Sequence, residues 1–305
     1  MLLNKVHGGS EKVTIDGKRV KERLNLISTL INHFEENLIP YCPVSNQKPR
    51  FDGVNHYFLT RYDNELWIVK GNLDDGWTLF ASATPIGTFL SEGVYFYIFK
   101  GMLIFMGTRV YRLNLDTLEW TFSFSPNRGV DDIYLAVALK DVIYYVTMDD
   151  YYTRKFTSTD GINFTDWSTS INFNGDAICK DDYAYQLRGG DAIYKVDFVN
   201  EPQKLYNLPD ELMNLSYSFN QFAPYMIFLD TKNPVVKLTQ NFYKLYLVEL
   251  TDSELNIIKE CLVPKNNFTL LYFYDEKNDV FFQIDTEIGN NNIAYVIEKG
   301  FLIKR

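Results

Sequence analysis

A pattern that recurs roughly every 40 residues constrains this chain more than any other feature. From about residue 56 onward, a short polar turn leads into an aromatic-rich strand, and a hairpin partner follows. The six turns are Asp63-Asn64-Glu65, Lys100-Gly101, Lys140-Asp141, Lys180-Asp181-Asp182, Ala223-Pro224 and Lys277-Asn278-Asp279. A repeat of this size built from strands alone is typical of a β-propeller. We therefore predict an all-β propeller over residues 51–305, with six blades favoured and five as the alternative.

The second repeat outlines a complete blade. Its inner strand is predicted over Gly93–Phe99, followed by Met102–Met106, Val110–Leu115 and an outer strand over Glu119–Phe124. Four antiparallel strands in sequence form one propeller blade. The chain ends in the strand-like segment Phe301–Lys304. We expect strands from both ends of the chain to pair, because a propeller must protect its last open edge.

Residues 1–50 differ from the repeats and are predicted to form a separate N-terminal attachment segment. A short strand over Lys12–Ile15 precedes a helix over about residues 20–37, and a Pro-containing linker follows. The helix carries one apolar stripe at spacings of three and four residues. Its members are Leu24, Ile27, Leu30, Ile31 and Phe34. The stripe is interpreted as a docking face for a partner protein; packing against the propeller is the alternative.

Composition excludes several classes of function. Aromatic residues reach 16 %, which favours sheet structure. The formal charge of −9 argues against a protein that binds nucleic acid through its phosphates. Cys42, Cys179 and Cys261 are few and widely spaced, as expected of free thiols. The chain contains no apolar run long enough for a signal-peptide core or a membrane span. We expect cytoplasmic synthesis, no membrane contact and no cofactor.

Few residues carry recognisable chemistry. The histidines are His7, His33 and His56, so the later repeats contain no histidine base. Two neighbouring carboxylates could cleave a glycoside or bind a cation. The adjacent acidic pairs are Asp74-Asp75, Asp131-Asp132, Asp149-Asp150 and Asp181-Asp182. Aspartate is also a common turn residue, and solvated turns are the favoured interpretation. Asp149 and Asp150 are the candidate cation ligands, and no catalytic residue is assigned.

Three aromatic residues in the third repeat are candidates for ligand binding. Tyr151, Tyr152 and Trp167 fall at predicted strand ends. Aromatic faces stack on sugars and anchor protein interfaces. The alternative is that these side chains pack between blades.

Two local patterns resemble known propeller families. The tract Ser158–Thr165 resembles the Asp-box of sialidase-type propellers, which implies a turn that stabilises the fold and not an active site. The predicted third-strand residues Tyr111, Tyr194 and Tyr246 resemble aromatic positions of kelch-type blades. Both resemblances imply a propeller and no particular activity.

A broader resemblance extends over the whole chain. The strand and turn at Lys12–Gly17, the helix and the irregular aromatic propeller together resemble tail or baseplate structural proteins of bacteriophages that infect low-GC bacteria. This resemblance implies a virion protein of a symmetric assembly, attached to other virion proteins through residues 1–50. It further implies that the propeller contacts cell-wall polysaccharide as a host receptor. A non-enzymatic virion protein is therefore expected. A cytoplasmic scaffold propeller and a carbohydrate-active enzyme using paired aspartates are the alternatives.

Overall fold

The computed structural model describes residues 38–39, 41, 44, 49–86, 95–107, 109–124, 132–148, 153–169, 177–180, 182–219, 225–237, 240–264, 269–275, 280–286 and 294–298. Within these residues no helix is long and apolar enough to cross a membrane. One 3-10 turn spans Thr84–Ile86. The strands are β1 (Leu38–Ile39), β2 (Arg50–Phe51), β3 (His56–Tyr62), β4 (Glu65–Asn72), β5 (Gly76–Ser82), β6 (Tyr95–Phe99), β7 (Met102–Met106), β8 (Val110–Asn114), β9 (Trp120–Phe124), β10 (Asp132–Ala138), β11 (Ile143–Met148), β12 (Thr153–Ser158), β13 (Thr165–Asp166), β14 (Ala177–Lys180), β15 (Tyr183–Arg188), β16 (Ala192–Val196), β17 (Gln203–Asn207), β18 (Ser216–Phe219), β19 (Tyr225–Lys237), β20 (Gln240–Leu250), β21 (Leu255–Pro264), β22 (Thr269–Asp275), β23 (Val280–Thr286) and β24 (Ala294–Glu298).

These strands form six four-stranded sheets. Five sheets are consecutive meanders, β2–β5, β6–β9, β10–β13, β14–β17 and β18–β21, and the sixth contains β22, β23, β24 and β1. The first strands of neighbouring sheets contact one another, as β2 does with β6 and β10 with β14. The first strands therefore surround the centre. The predicted β-propeller is confirmed, and six sheets match the favoured number of blades.

The sixth sheet joins the two ends of the chain. Strand β1 lies at its outer edge and pairs with β24, with Leu38 opposite Tyr295 and Ile39 opposite Ala294. The expected pairing of the chain ends is therefore confirmed, through β24. The predicted C-terminal strand over 301–304 and the predicted helix over 20–37, with its apolar stripe, lie outside the described residues. The proposed boundary after residue 50 stays a prediction.

The hydrophobic core is divided into layers between consecutive sheets. Successive side chains of a strand point to opposite faces of its sheet, so adjacent residues join different layers. On β6, Phe96 packs toward the first sheet, whereas Tyr97 packs toward the third. On β11, Tyr145 packs toward the second sheet and Tyr144 toward the fourth. Strands that are buried on both faces explain why the inner repeats are continuously apolar instead of alternating.

Aromatic side chains also connect neighbouring sheets by hydrogen bonds. The hydroxyl of Tyr145 in the third sheet donates to the carbonyl oxygen of Gly107 beside the second. The indole Nε1 of Trp120 in the second sheet donates to the carbonyl oxygen of Ser82 in the first, at 3.0 Å. A buried tyrosine or tryptophan needs such a partner for its polar tip. These bonds therefore allow large amphipathic rings to fill the layers without leaving a polar atom unpaired.

The turn between the third and fourth strands has the same local structure in five sheets. One side-chain oxygen accepts hydrogen bonds from the backbone N–H groups two and three residues later, which is the bonding of an Asx or Ser/Thr turn. The residues that supply this oxygen are Asn72, Asn114, Asp160, Asp197 and Thr251. The acidic and amide residues at these turns are therefore largely structural.

The first sheet contains a close approach that only glycine allows. Gly71 on β4 lies opposite Trp77 on β5. A Cβ atom at Gly71 would collide with the carbonyl oxygen of Gly76 and would lie 2.8 Å from the Cα of Trp77. Because these are backbone atoms, no side-chain rotation can relieve the collision.

We predict that Gly71→Ala lowers the free energy of unfolding by on the order of 3 kcal/mol through overpacking. Gly101→Ala is the matched control, because its φ is +74° and nothing lies within 4 Å of the added Cβ. It should cost only about 1 kcal/mol, the penalty of a left-handed backbone. Denaturant unfolding monitored by tryptophan fluorescence measures both. Equal losses in the two variants would contradict the proposed collision.

Candidate anion site at the centre of the propeller

Arg50 is a charged residue at the inner edge of the first sheet, where this sheet meets the second. It lies on the innermost strand β2, and only 8 % of it is exposed. Its Nε donates a hydrogen bond to the carbonyl oxygen of Phe96 at 2.6 Å. The guanidinium carbon lies over the ring of Tyr97, 4.2 Å from the ring centroid. A guanidinium over an aromatic face gains a cation–π interaction, which helps to compensate for its burial.

The described residues compensate the charge of Arg50 only in part. Within the described residues no carboxylate lies within ion-pair distance of it, and its one hydrogen bond uses Nε. Among the described residues, one fully buried side-chain polar atom has no hydrogen-bond partner. This atom is Oγ1 of Thr147. Nη1 and Nη2 of Arg50 do not belong to this class, so neither is both fully enclosed and unpartnered. A largely buried guanidinium with free donors is the kind of group that binds an anion.

The charge of Arg50 also acts on Cys179 in the fourth sheet. This residue lies on β14, the innermost strand of the fourth sheet, and is 1 % exposed. Burial raises the pKa of the Cys179 thiol to about 12, and the positive charge of Arg50 acts in the opposite direction. The positive charge of Arg50 on β2 thus influences a residue on β14, the innermost strand of the fourth sheet. Because burial dominates, Cys179 stays a protonated thiol at neutral pH and is not a nucleophile.

A second polar cluster connects the fourth and fifth sheets. Asp252, in the turn between β20 and β21, accepts hydrogen bonds from the hydroxyls of Tyr183 and Tyr185 at 3.0 and 2.8 Å. It also pairs with Nζ of Lys195 at 2.7 Å. The bond from Lys195 lowers the pKa of Asp252, and the same bond raises the pKa of Lys195. A lysine with a raised pKa is a poor general base, so this cluster stabilises the sheet contact.

The aromatic ligand candidates fall in different parts of the chain. Trp167 is half-buried between the third and fourth sheets, with ring centroids 4.8 Å from Tyr144 and 6.4 Å from Phe198. Tyr151 and Tyr152 lie outside the described residues. A role of Trp167 in ligand binding stays a prediction, and its ring contacts match the alternative of packing between blades.

The described acidic pairs and the histidine have structural surroundings. The backbone N–H groups of Asp74 and Asp75 donate to Oδ1 of Asn72 at 2.9 and 2.8 Å. His56 is buried and stacks on Phe51 with ring centroids 4.4 Å apart. Asp149 and Asp150, the cation candidates, lie outside the described residues. Within the described part of the chain, no group of three potential metal ligands comes together.

The tract that resembles an Asp-box forms a tightly bonded turn. Oδ1 of Asp160 accepts hydrogen bonds from the backbone N–H groups of Ile162 and Asn163, both at 2.8 Å. Oγ of Ser158 donates to Oδ1 of Asp160 at 3.0 Å and accepts from the N–H of Gly161 at 2.9 Å. These bonds lower the pKa of the Asp160 carboxyl. The expected turn is confirmed.

Sequence reasoning did not identify Arg50. The residue falls at the end of the segment interpreted as an attachment element, next to the irregular linker. A basic residue beside a strand start is ordinary in sequence. Only the arrangement of six sheets shows that this position faces the centre.

The comparisons with known proteins give only distant structural similarities. Neither a protein-family model nor a curated protein matches the chain. Among solved structures, an oligogalacturonate lyase from Vibrio parahaemolyticus is 12 % identical, with a TM-score of 0.49, over 85 % of this chain and 91 % of that one. A virginiamycin B lyase from Staphylococcus aureus, in an inactive form with quinupristin, is 13 % identical, with a TM-score of 0.42, over 84 % and 87 %. Identities this low show the propeller fold alone.

The comparisons contradict the expectation of a non-enzymatic virion protein, which is therefore wrong. The similar structures include two oligogalacturonate lyases and a virginiamycin B lyase, which are enzymes. At these identities and TM-scores they establish no activity for this chain. The expectation went wrong because it came from general features, an aromatic propeller preceded by a helix, which proteins of unrelated function share. Virion location and virion partners stay predictions.

We predict that Asp160 contributes stability that depends on pH. Its folded pKa is lowered, so this contribution is present above the pKa of the unfolded chain, about 4, and is lost as pH falls through the folded pKa. Asp160→Asn keeps an acceptor for the turn but cannot titrate. At pH 7 the substitution should cost less than about 1 kcal/mol, because the carboxyl is close to solvent. Urea unfolding from pH 7 to pH 2.5 should show this cost shrinking as pH falls; a constant difference would contradict it.

Proposed function

We propose that this propeller binds an anionic saccharide in its central channel and that Arg50 recognises the acid group. The observation that supports the proposal is the guanidinium of Arg50, which is 8 % exposed and has no described carboxylate partner. Burying such a charge destabilises the protein unless something compensates for it. A bound anion would supply a partner that the described residues do not provide, and the centre of a propeller is a common place for a ligand.

The charges of the protein favour a small ligand with few negative charges. The chain carries a formal charge of −9, which repels a polyanion at long range. Arg50 supplies one positive charge, and the neighbouring Cys179 is neutral. A saccharide with a single acid group matches this balance. Aromatic rings on inner strands, such as that of Tyr217, which is 42 % exposed, offer faces on which a sugar ring can stack.

The proposal develops the alternative that the protein is a carbohydrate-active enzyme. Arg50 supports the binding of the saccharide and not its cleavage. The nearest groups are poorly suited to transfer protons, since the hydroxyl of Tyr97 donates to the carbonyl oxygen of Ala136 and the thiol of Cys179 is protonated. The described acidic pair Asp74-Asp75 belongs to a turn. Cleavage of the saccharide is therefore not part of the proposal, and it is measured in the same experiment as binding.

We predict that Arg50→Gln weakens the binding of a uronic-acid oligosaccharide at least tenfold, because the charge-assisted hydrogen bonds to the acid group are lost. Titration calorimetry on the full chain measures the affinity, and chromatography of the same mixtures detects cleavage products. Arg61→Gln is the matched control, since Arg61 is an exposed arginine on β3.

Two results decide the proposal. Loss of binding in Arg50→Gln, with unchanged binding in Arg61→Gln and unchanged thermal unfolding in both, supports it. Binding that is equally strong in both variants, or no binding of acidic saccharides by the unmodified protein, overturns it.

A further inference from the structure

We infer that Arg50 selects a carboxylate over a phosphate or sulfate and binds it through the outer edge of the guanidinium, Nη1 and Nη2. This inference rests on the proposed function, because it names the class of acid group that the same site accepts. Three features support it: the edge of the guanidinium that is already used, the ring that covers one of its faces, and the charge available for compensation.

The first feature is the occupied edge. A guanidinium can hold an anion with two parallel hydrogen bonds either through Nε and one Nη or through Nη1 and Nη2. In this protein Nε donates to the carbonyl oxygen of Phe96 at 2.6 Å. The edge that includes Nε is therefore taken by the backbone of the second sheet. An incoming anion meets the edge formed by Nη1 and Nη2.

The second feature is the covered face. The guanidinium carbon lies 4.2 Å from the ring centroid of Tyr97. Tyr97 is 6 % exposed, and its hydroxyl is bound to the carbonyl oxygen of Ala136 in the third sheet. The ring therefore cannot move aside, and it blocks approach from that face. A carboxylate lies in the plane of a guanidinium when it forms two hydrogen bonds, whereas a tetrahedral anion carries further oxygens outside that plane.

The third feature is charge. Arg50 is the charged group that the described residues place at this point, and the buried thiol of Cys179, on which its charge acts, is neutral at pH 7. A carboxylate neutralises one positive charge. A phosphate monoester carries close to two negative charges at pH 7, so binding it would leave excess negative charge in a poorly solvated place. Sulfate esters carry one charge, and for them the tetrahedral shape alone opposes binding.

The test compares ligands that share a sugar ring. We would titrate the full chain with glucuronate, glucose 6-phosphate, glucose 6-sulfate and glucose at pH 7. We expect glucuronate to bind at least about tenfold more tightly than either tetrahedral anion, and glucose to bind most weakly. Arg50→Lys keeps the charge but replaces the planar fork by a point charge. In this variant the preference for glucuronate should fall to about threefold or less.

The measured quantity is the ratio of the affinity for glucuronate to the affinity for a tetrahedral anion. If Arg50 only stabilised the fold, replacing it would leave this ratio unchanged. Arg61→Lys should leave the ratio unchanged. Phosphate or sulfate binding as tight as glucuronate, with dependence on Arg50, would overturn the carboxylate inference and leave anion binding in place. An unchanged preference in Arg50→Lys would also overturn it. If no anion of the set binds through Arg50, both this inference and the proposed function are wrong.

Discussion

The packing of aromatic side chains between consecutive sheets is the interaction on which the rest of this structure depends. The described layers, between the first and the fifth sheets, are filled from both sides. In several of them the polar tip of a tyrosine or tryptophan reaches the backbone of the neighbouring sheet. Tyr145 binds the carbonyl oxygen of Gly107, and Trp120 binds that of Ser82. A smaller residue would leave a cavity, and phenylalanine would leave the carbonyl without this donor.

This packing also explains why a charge can be held near the centre. Tyr97 belongs to the layer between the second and third sheets, and its hydroxyl is bound to Ala136 in the third. Its ring faces the guanidinium of Arg50 from the first sheet. Three sheets thus cooperate to orient one arginine. Binding sites on rigid elements need little reorganisation when a ligand arrives, which favours affinity and selectivity.

Particular residues show how far sequence reasoning reaches. The second blade was predicted almost to the residue, since Met102–Met106 is a continuous apolar run between two clear turns. The Ser158–Thr165 turn was also recognised, because Asp160 and Gly161 carry local turn signals. The same reasoning extended the general features of the chain to a virion protein, which the comparisons correct. Arg50 escaped notice because its neighbours in space, Phe96, Tyr97 and Cys179, are distant in sequence.

The sequence by itself determined the repeated four-strand unit and its turns, because these depend on local backbone preferences and on contacts between residues a few positions apart. The tertiary structure decided which side chains from different blades meet. The partners of Arg50 come from the second sheet, and the pairing of β1 with β24 joins the two ends of the chain. Such contacts require the ring of sheets to assemble, since no local pattern records how one blade is placed against another.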